Sequence, residues 1–151
     1  MTGRIEGKVA LIFGAGSVGP GWGNGRAIAT RFAEEGAKIF GVDRDLDRMI
    51  ETIERVKATG AEIETGFCDV TSNQSIQDSV AACIARFGRI DILVNNVGGS
   101  AAGGPVEMSE EVWDSQVDTN LKSVFLTCKH VLPIMEKQGG GAIINMASTS
   151  G

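Results

Sequence analysis

The residues best suited to chemistry by type and spacing are a glycine run and an acid that follows it. Gly14-Ala15-Gly16-Ser17-Val18-Gly19-Pro20-Gly21-Trp22-Gly23-Asn24-Gly25 stands 29 residues ahead of Asp43, counted from Gly14. Glycine reaches backbone angles that a Cβ forbids, so such a run turns tightly and lets peptide N–H groups approach an anion closely. A carboxylate at a fixed distance beyond it can accept two sugar hydroxyls. Later in the chain stand Asp69-Val70, Asn95-Asn96-Val97-Gly98, Asn120 and Ser148. The remaining reactive residues are Cys68, Cys83, Cys128 and a single histidine, His130.

The elements that must position the first group are legible around it. Val9-Ala10-Leu11-Ile12-Phe13 is a short apolar run, a helical pattern follows the glycines, and Ile39-Phe40-Gly41-Val42 ends on Asp43. Strand, glycine loop, helix, strand and acid form the layout of a dinucleotide-binding unit. The helix beginning near Asn24 points its positive end at the loop, where a pyrophosphate would lie. Asp43 would accept the adenine ribose hydroxyls and repel a 2′-phosphate, so the sequence favours NAD over NADP. The spacing from Gly14 to Asp43 exceeds the generic value of about 20. The excess reads as an insertion, Val18-Gly19-Pro20-Gly21-Trp22. The phosphate loop of nucleoside triphosphatases is disfavoured, because Arg26-Ala27 follows Gly25 where Lys and Ser/Thr would be needed.

Composition narrows the class. The chain has 151 residues, enough for one domain with a real core, and a net charge of −5. Lys and Arg form no patch, which argues against a nucleic-acid partner. No apolar run reaches the roughly 20 residues of a membrane span, and the N-terminus lacks a signal core. Three scattered cysteines read as small core residues in a reducing, cytoplasmic setting. One histidine and no cysteine pair at ligand spacing argue against a metal. His130 reads as a solvated or core helix residue, and Trp113 as a packing residue.

Periodicity extends the pattern. Helices are expected over 26–35, 45–59, 73–87 and about 109–138. The second buries a stripe of Leu46, Met49, Ile50, Ile53 and Val56. The last carries Val117, Leu121, Val124, Phe125, Cys128, Leu132 and Met135, with Pro133 placed to kink its final turn. Thr71 or Ser72, and Ser109, are candidate helix caps. Strands are expected over 38–42, 62–67, 90–95 and 142–147. Five strands alternating with four helices make an α/β doubly wound parallel sheet, Rossmann-like. Right-handed crossovers give the strand order 3-2-1-4-5, with a ligand crevice where strands one and four diverge. We read residues 1–151 as one dinucleotide-binding Rossmann domain, incomplete at its C-terminal side and part of a longer enzyme.

Gly14…Gly23-Asn24-Gly25, Asp69-Val70, Asn95-Asn96-Val97-Gly98, Asn120 and Ile144-Asn145-Met146-Ala147-Ser148 resemble the short-chain dehydrogenase/reductases, in family order across the whole chain. Phe13 stands where that family usually has Thr, Val97 replaces the usual Ala, and the glycine loop carries five extra residues. The resemblance implies an NAD(P)-dependent oxidoreductase moving hydride between nicotinamide and an alcohol or ketone. It implies that Gly14, Ser17, Gly23, Asn24 and Gly25 wrap the pyrophosphate, while Asp43 holds the ribose and Arg44 lies on the adenine. Asp69 and Val70 would bracket the adenine, and Asn96 and Gly98 the ribose beyond. Asn120 would hold a water in the proton relay, and Ser148 would bind the substrate oxygen. Asn95 reads as a strand-bridging residue.

Each assignment has a plainer alternative. Asp69 can cap a turn, Asn120 can satisfy a neighbouring backbone group, and Ser148 can be a loop serine. Trp22 either shields the pyrophosphate site or packs on the surface.

The family's acid/base pair is a Tyr and a Lys one helical turn later. A phenol with a pKa near 10 becomes useful near neutrality only when an ammonium and the charged nicotinamide depress it. The sequence has no tyrosine, and its last lysine is Lys137. These residues alone are therefore expected to be inactive, with a longer parent enzyme supplying the pair. The alternatives are a non-catalytic, truncated NAD-binding homologue and an S-adenosylmethionine-dependent methyltransferase. The stretch from about Ser109 to Gln138 resembles the family's dimer-forming helix, which implies a homodimer or homotetramer.

Overall fold

The computed structural model describes residues 3–148. Strand β1, Val9–Phe13, is buried along its whole length. It lies between β2, Lys38–Asp43, and β4, Ile92–Asn95; β3, Ile63–Phe67, and β5, Ala142–Asn145, form the edges. All four pairings are parallel and the order is β3-β2-β1-β4-β5, as the crossover argument requires.

Alternation along β1 divides the core into two layers. Val9, Leu11 and Phe13 face α3, Asn73–Phe87, and α5, Ser123–Gln138, meeting Ile76, Val80, Leu126 and Val131. Ala10 and Ile12 face α1, Asn24–Glu34, and α2, Ile50–Ala58, meeting Ala29, Ala33, Met49 and Val56. Burial on both faces explains why the central strands are uninterrupted apolar runs. Edge strand β5 keeps only Ile143 half-buried, so the sheet is open on that side.

Two helical stripes differ from the periodicity. Residues Leu46–Met49 form a tighter 3₁₀ turn ahead of α2, which rotates the stripe. Leu46 and Ile50 consequently face solvent at 49% and 55% exposure, and Thr52 takes an inward position beside Met49 and Val56. The long C-terminal helix is broken into α4, Glu110–Val117, a π turn over Asp118–Lys122, and α5. The wider turn shifts the register by about one residue. Val117, Leu121, Phe125 and Leu132 are therefore exposed, while Leu126, Val131 and Met135 are buried. Helix α5 continues through Pro133 to Gln138.

Ser72 and Ser109 cap their helices, their hydroxyls accepting the N–H of Ser75 at 3.3 Å and of Val112 at 3.4 Å. Asn95 bridges strand and helix: it donates to Asn145 Oδ1 at 2.8 Å and accepts from the Thr127 hydroxyl at 2.7 Å.

Candidate functional site

The carboxyl ends of β1, β2 and β4 open onto a crevice of about 360 Å³ bounded by Gly14, Ser17, Asp43, Asp69, Asn96 and Gly98. Its floor is the glycine loop. Gly14 has φ +79° and sits so close to β4 that a Cβ would lie 2.9 Å from Val97 Cγ2. Its carbonyl oxygen accepts a hydrogen bond from Asn96 Nδ2 at 2.8 Å. A Cβ on Gly25, in the first turn of α1, would overlap that same oxygen. Gly25 is thus what lets α1 start against the end of β1. The N-cap of α1 is Gly23, which offers no side-chain acceptor, so no side chain caps the positive end of the helix. The Ser17 hydroxyl donates to Gly19 O at 2.9 Å and would be 2.7 Å from a Cβ on Gly23. The loop is shaped as a cradle for an anion.

Asp43 ends β2 at the rim of this cradle. Its Oδ2 accepts the Gly16 N–H at 3.1 Å and its Oδ1 the Asp45 N–H at 3.1 Å. An ionised carboxylate offers about four lone-pair sites, so each oxygen keeps acceptor capacity for a ribose hydroxyl. Arg44 lines the crevice. Asp69 closes the far wall, where its Oδ1 accepts the hydroxyl and N–H of Thr71 at 2.7 and 2.9 Å. Those two bonds, aided by the charge of Arg44, hold its carboxyl below the ordinary range. The turn-capping and ligand-facing readings of Asp69 are both compatible with this geometry. Val70 is buried against the core and also lines the crevice.

A second hollow of about 780 Å³ shares Asn96 and Gly98 with the first and adds Asn24, Asn120 and Ser148. Asn120 lies in the π turn, where its side chain accepts the Gly99 N–H at 2.9 Å and donates to Gly99 O at 2.9 Å and Gln116 O at 2.9 Å. It clamps the loop after β4 and shares a cavity with Ser148.

Gly14, Ser17, Asp43, Arg44, Asp69, Val70, Asn96 and Gly98 line the crevice, Asn24, Asn120 and Ser148 the second hollow, and Gly23 and Gly25 stand at the start of α1. Sequence reasoning missed Gly16 and Arg48, which also line the crevice. Gly16 was readable in principle, because it stands in the same glycine run; the structure shows why only glycine fits, a Cβ there lying 2.8 Å from Asp43 Oδ2. Arg48 reaches the crevice only because of the 3₁₀ turn, which periodicity did not show. Trp22 does not cover the cradle: its ring stacks under the Arg55 guanidinium of α2, 4.2 Å from the ring centroid.

Of the other reactive groups, Cys68 borders the crevice. His130 pairs with Asn73 Oδ1 at 2.8 Å on the surface. Burial pushes the Cys68 thiol up, and that of Cys83 to about 12, so both remain protonated core side chains. Among the described residues no group of His, Cys, Asp and Glu is arranged to hold a metal, and no helix is long and apolar enough to cross a membrane.

Comparison with known proteins agrees with this fold. A family model described as short chain dehydrogenase matches residues 8–151. Curated relatives, ketoacyl reductases and dehydrogenases among them, are 36% to 42% identical, and the chain spans about half their length. A Burkholderia xenovorans protein, provisionally assigned as a short-chain dehydrogenase/reductase, superposes with a TM-score of 0.96 at 59% identity, covering 99% of this chain and 57% of that one. Xylitol dehydrogenase bound to NAD+ superposes with a TM-score of 0.89 at 34% identity, covering 98% and 55%. Actinorhodin polyketide ketoreductase with NADPH gives 0.88 at 37%, covering 98% and 56%.

Proposed function

The chain belongs to the short-chain dehydrogenase family, and from that premise we propose that it is the dinucleotide-binding domain of an oxidoreductase that uses NAD. Membership sets the methyltransferase alternative aside. The observation that carries the choice of nucleotide is the Asp43 carboxylate, fixed by the Gly16 and Asp45 N–H groups at the rim of the glycine cradle. Among the solved neighbours both nucleotides occur, NAD+ in one and NADPH in another. The preference therefore rests on this chain's own acid, which would meet a 2′-phosphate with like charge.

The residues present fit the nucleotide. The uncapped start of α1 and the peptide groups from Gly14 to Gly25, with Ser17, Gly23 and Asn24, seat the diphosphate. Asp43 holds the adenine ribose, Arg44 covers the adenine, and Asp69 with Val70 bracket it. Asn96 and Gly98 border the path to the second hollow, which receives the nicotinamide end. Bound there, the nicotinamide supplies the hydride donor or acceptor.

Around the substrate carbon, Ser148 donates a hydrogen bond to the substrate oxygen and polarises it. Asn120 fixes the loop at Gly99 and orients a water in the proton path. A tyrosine and a lysine elsewhere in the whole protein complete that path, since these 151 residues contain no tyrosine. The substrate class is an alcohol or its ketone. A cytoplasmic location and a homodimer or homotetramer accompany this reading. The exposed Trp113, Leu121 and Phe125 along α4 and α5 support the assembly.

Calorimetric titration of the full-length protein with NAD and NADP tests the proposal. NAD is expected to bind about tenfold or more tightly than NADP, and Ser148→Ala to lower turnover while leaving NAD affinity unchanged. Equal affinity for the two nucleotides, or none for either, overturns it.

A further inference from the structure

The glycine-loop insertion is anchored at Gly19, Gly21 and Trp22. Gly21 presents its carbonyl oxygen to the guanidinium of Arg26, which is 3% exposed. The same guanidinium pairs with Glu51 at 2.5 Å and reaches the Thr52 hydroxyl at 3.4 Å and the Arg48 carbonyl at 3.5 Å. Arg55 grips Glu51 with two bonds, 2.9 and 2.6 Å, and stacks on Trp22. Thr52 in turn donates to Ala15 O at 3.0 Å. The Gly21 and Arg48 carbonyls thereby meet Arg26 in the first turn of α1, and the Ala15 carbonyl meets Thr52 of α2.

In a trans peptide the N–H points opposite to the C=O. Holding a carbonyl against a helix side chain turns the following N–H away from that side chain. The Ala15–Gly16 unit shows the outcome: its carbonyl meets Thr52 and its N–H meets Asp43. Arg26 likewise fixes the plane of the Gly21–Trp22 unit by holding its carbonyl oxygen. A buried fork with several carbonyl and carboxylate partners is a rigid fixture, because releasing any one of them leaves a charge under-satisfied.

We propose that Arg26 is a positioning residue for the nucleotide: it pins the insertion to the first turn of α1 and, through Glu51, to α2, so that the loop's peptide groups are ordered before the diphosphate arrives. The proposal rests on the reading of the crevice as a nucleotide site. Nucleotide affinity then depends on Arg26 without any contact between the two, because ordering the loop beforehand removes a cost of binding.

The test uses the full-length protein and four forms: wild type, Arg26→Met, a variant lacking residues 18–22, and the two changes combined. Arg26→Met should raise the Kd and KM for NAD about tenfold, the size of one charge-assisted hydrogen bond, with kcat at saturating NAD within about twofold. Without the insertion, the same substitution should change the Kd by less than about twofold. A folded Arg26→Met protein with unchanged NAD affinity overturns the proposal. So does an equal loss with and without the insertion, which would make Arg26 a strut between α1 and α2. Should Arg26→Met fail to fold, Arg26→Lys keeps the charge and loses the fork; it should weaken NAD about threefold, and unchanged affinity overturns the proposal. A wild-type protein that binds no nucleotide refutes the site itself, an outcome separate from an Arg26→Met protein that binds as well as wild type.

Discussion

Gly16 donates its backbone N–H to Asp43 Oδ2 at 3.1 Å, across 27 residues of sequence, and has no room for a side chain. This contact joins the glycine loop to the acid proposed to select the sugar, so the two parts of the proposed site are one unit. Gly16→Ala would put a Cβ 2.8 Å from the carboxylate oxygen and 2.9 Å from Arg48 Cβ. It should weaken NAD by about tenfold and narrow its advantage over NADP, through displacement of Asp43. Parallel titrations with the two nucleotides check this; an unchanged ratio would show that Gly16 does not position the acid.

Gly25→Ala is expected to be worse. The new methyl would occupy the place of the Gly14 carbonyl oxygen, which is backbone and already bonded to Asn96. Either α1 retreats from β1 or its first turn unwinds. The expected result is loss of nucleotide binding together with destabilisation of about 2 kcal/mol or more. Thermal unfolding and NAD titration of the same variant provide the measurement.

Asp91 should set part of the acid limit of stability. It is 7% exposed; burial pushes its pKa up, yet the Arg89 fork, the Val9 N–H and the charge of Lys8 outweigh that and hold it below the ordinary range. A carboxyl depressed in the folded state stabilises above its unfolded pKa of about 3.9, and that contribution fades as pH falls through the folded value. Asp91→Asn should cost about 1–3 kcal/mol at neutral pH and flatten the loss of stability below about pH 4. Denaturant unfolding at several pH values shows whether it does.

The sequence revealed the frame because β1 is buried on both faces and α1, α2, α3 and α5 are each followed by a glycine, Gly36, Gly60, Gly88 and Gly139. Gly88 and Gly139 end α3 and α5 at φ +79° and +92°, where the periodicity stops. Asp43 was legible because the end of an apolar run places it at a strand tip. Side-chain direction was less legible wherever the helical period changes. Leu46, Ile50, Leu121 and Phe125 fit a uniform stripe on paper, but a 3₁₀ turn and a π turn rotate them outward. The insertion was visible as extra residues, while its anchor was not. Arg26 reads as an ordinary helix cation until Gly21, Glu51 and Thr52 are seen around it.

Those outward apolar residues predict assembly. Leu121 and Phe125 are 67% and 61% exposed and stand one turn apart. Leu121→Glu combined with Phe125→Glu should convert the proposed dimer or tetramer of the full-length protein to a smaller species in sedimentation. An unchanged sedimentation coefficient would place the interface elsewhere.

The most direct test of the central claim is a crystal structure of the full-length protein with NAD. The account predicts the diphosphate over the loop from Gly14 to Gly25 and both adenine-ribose hydroxyls within hydrogen-bond distance of the Asp43 carboxylate. Nucleotide density away from that crevice, or a ribose turned away from Asp43, would contradict it.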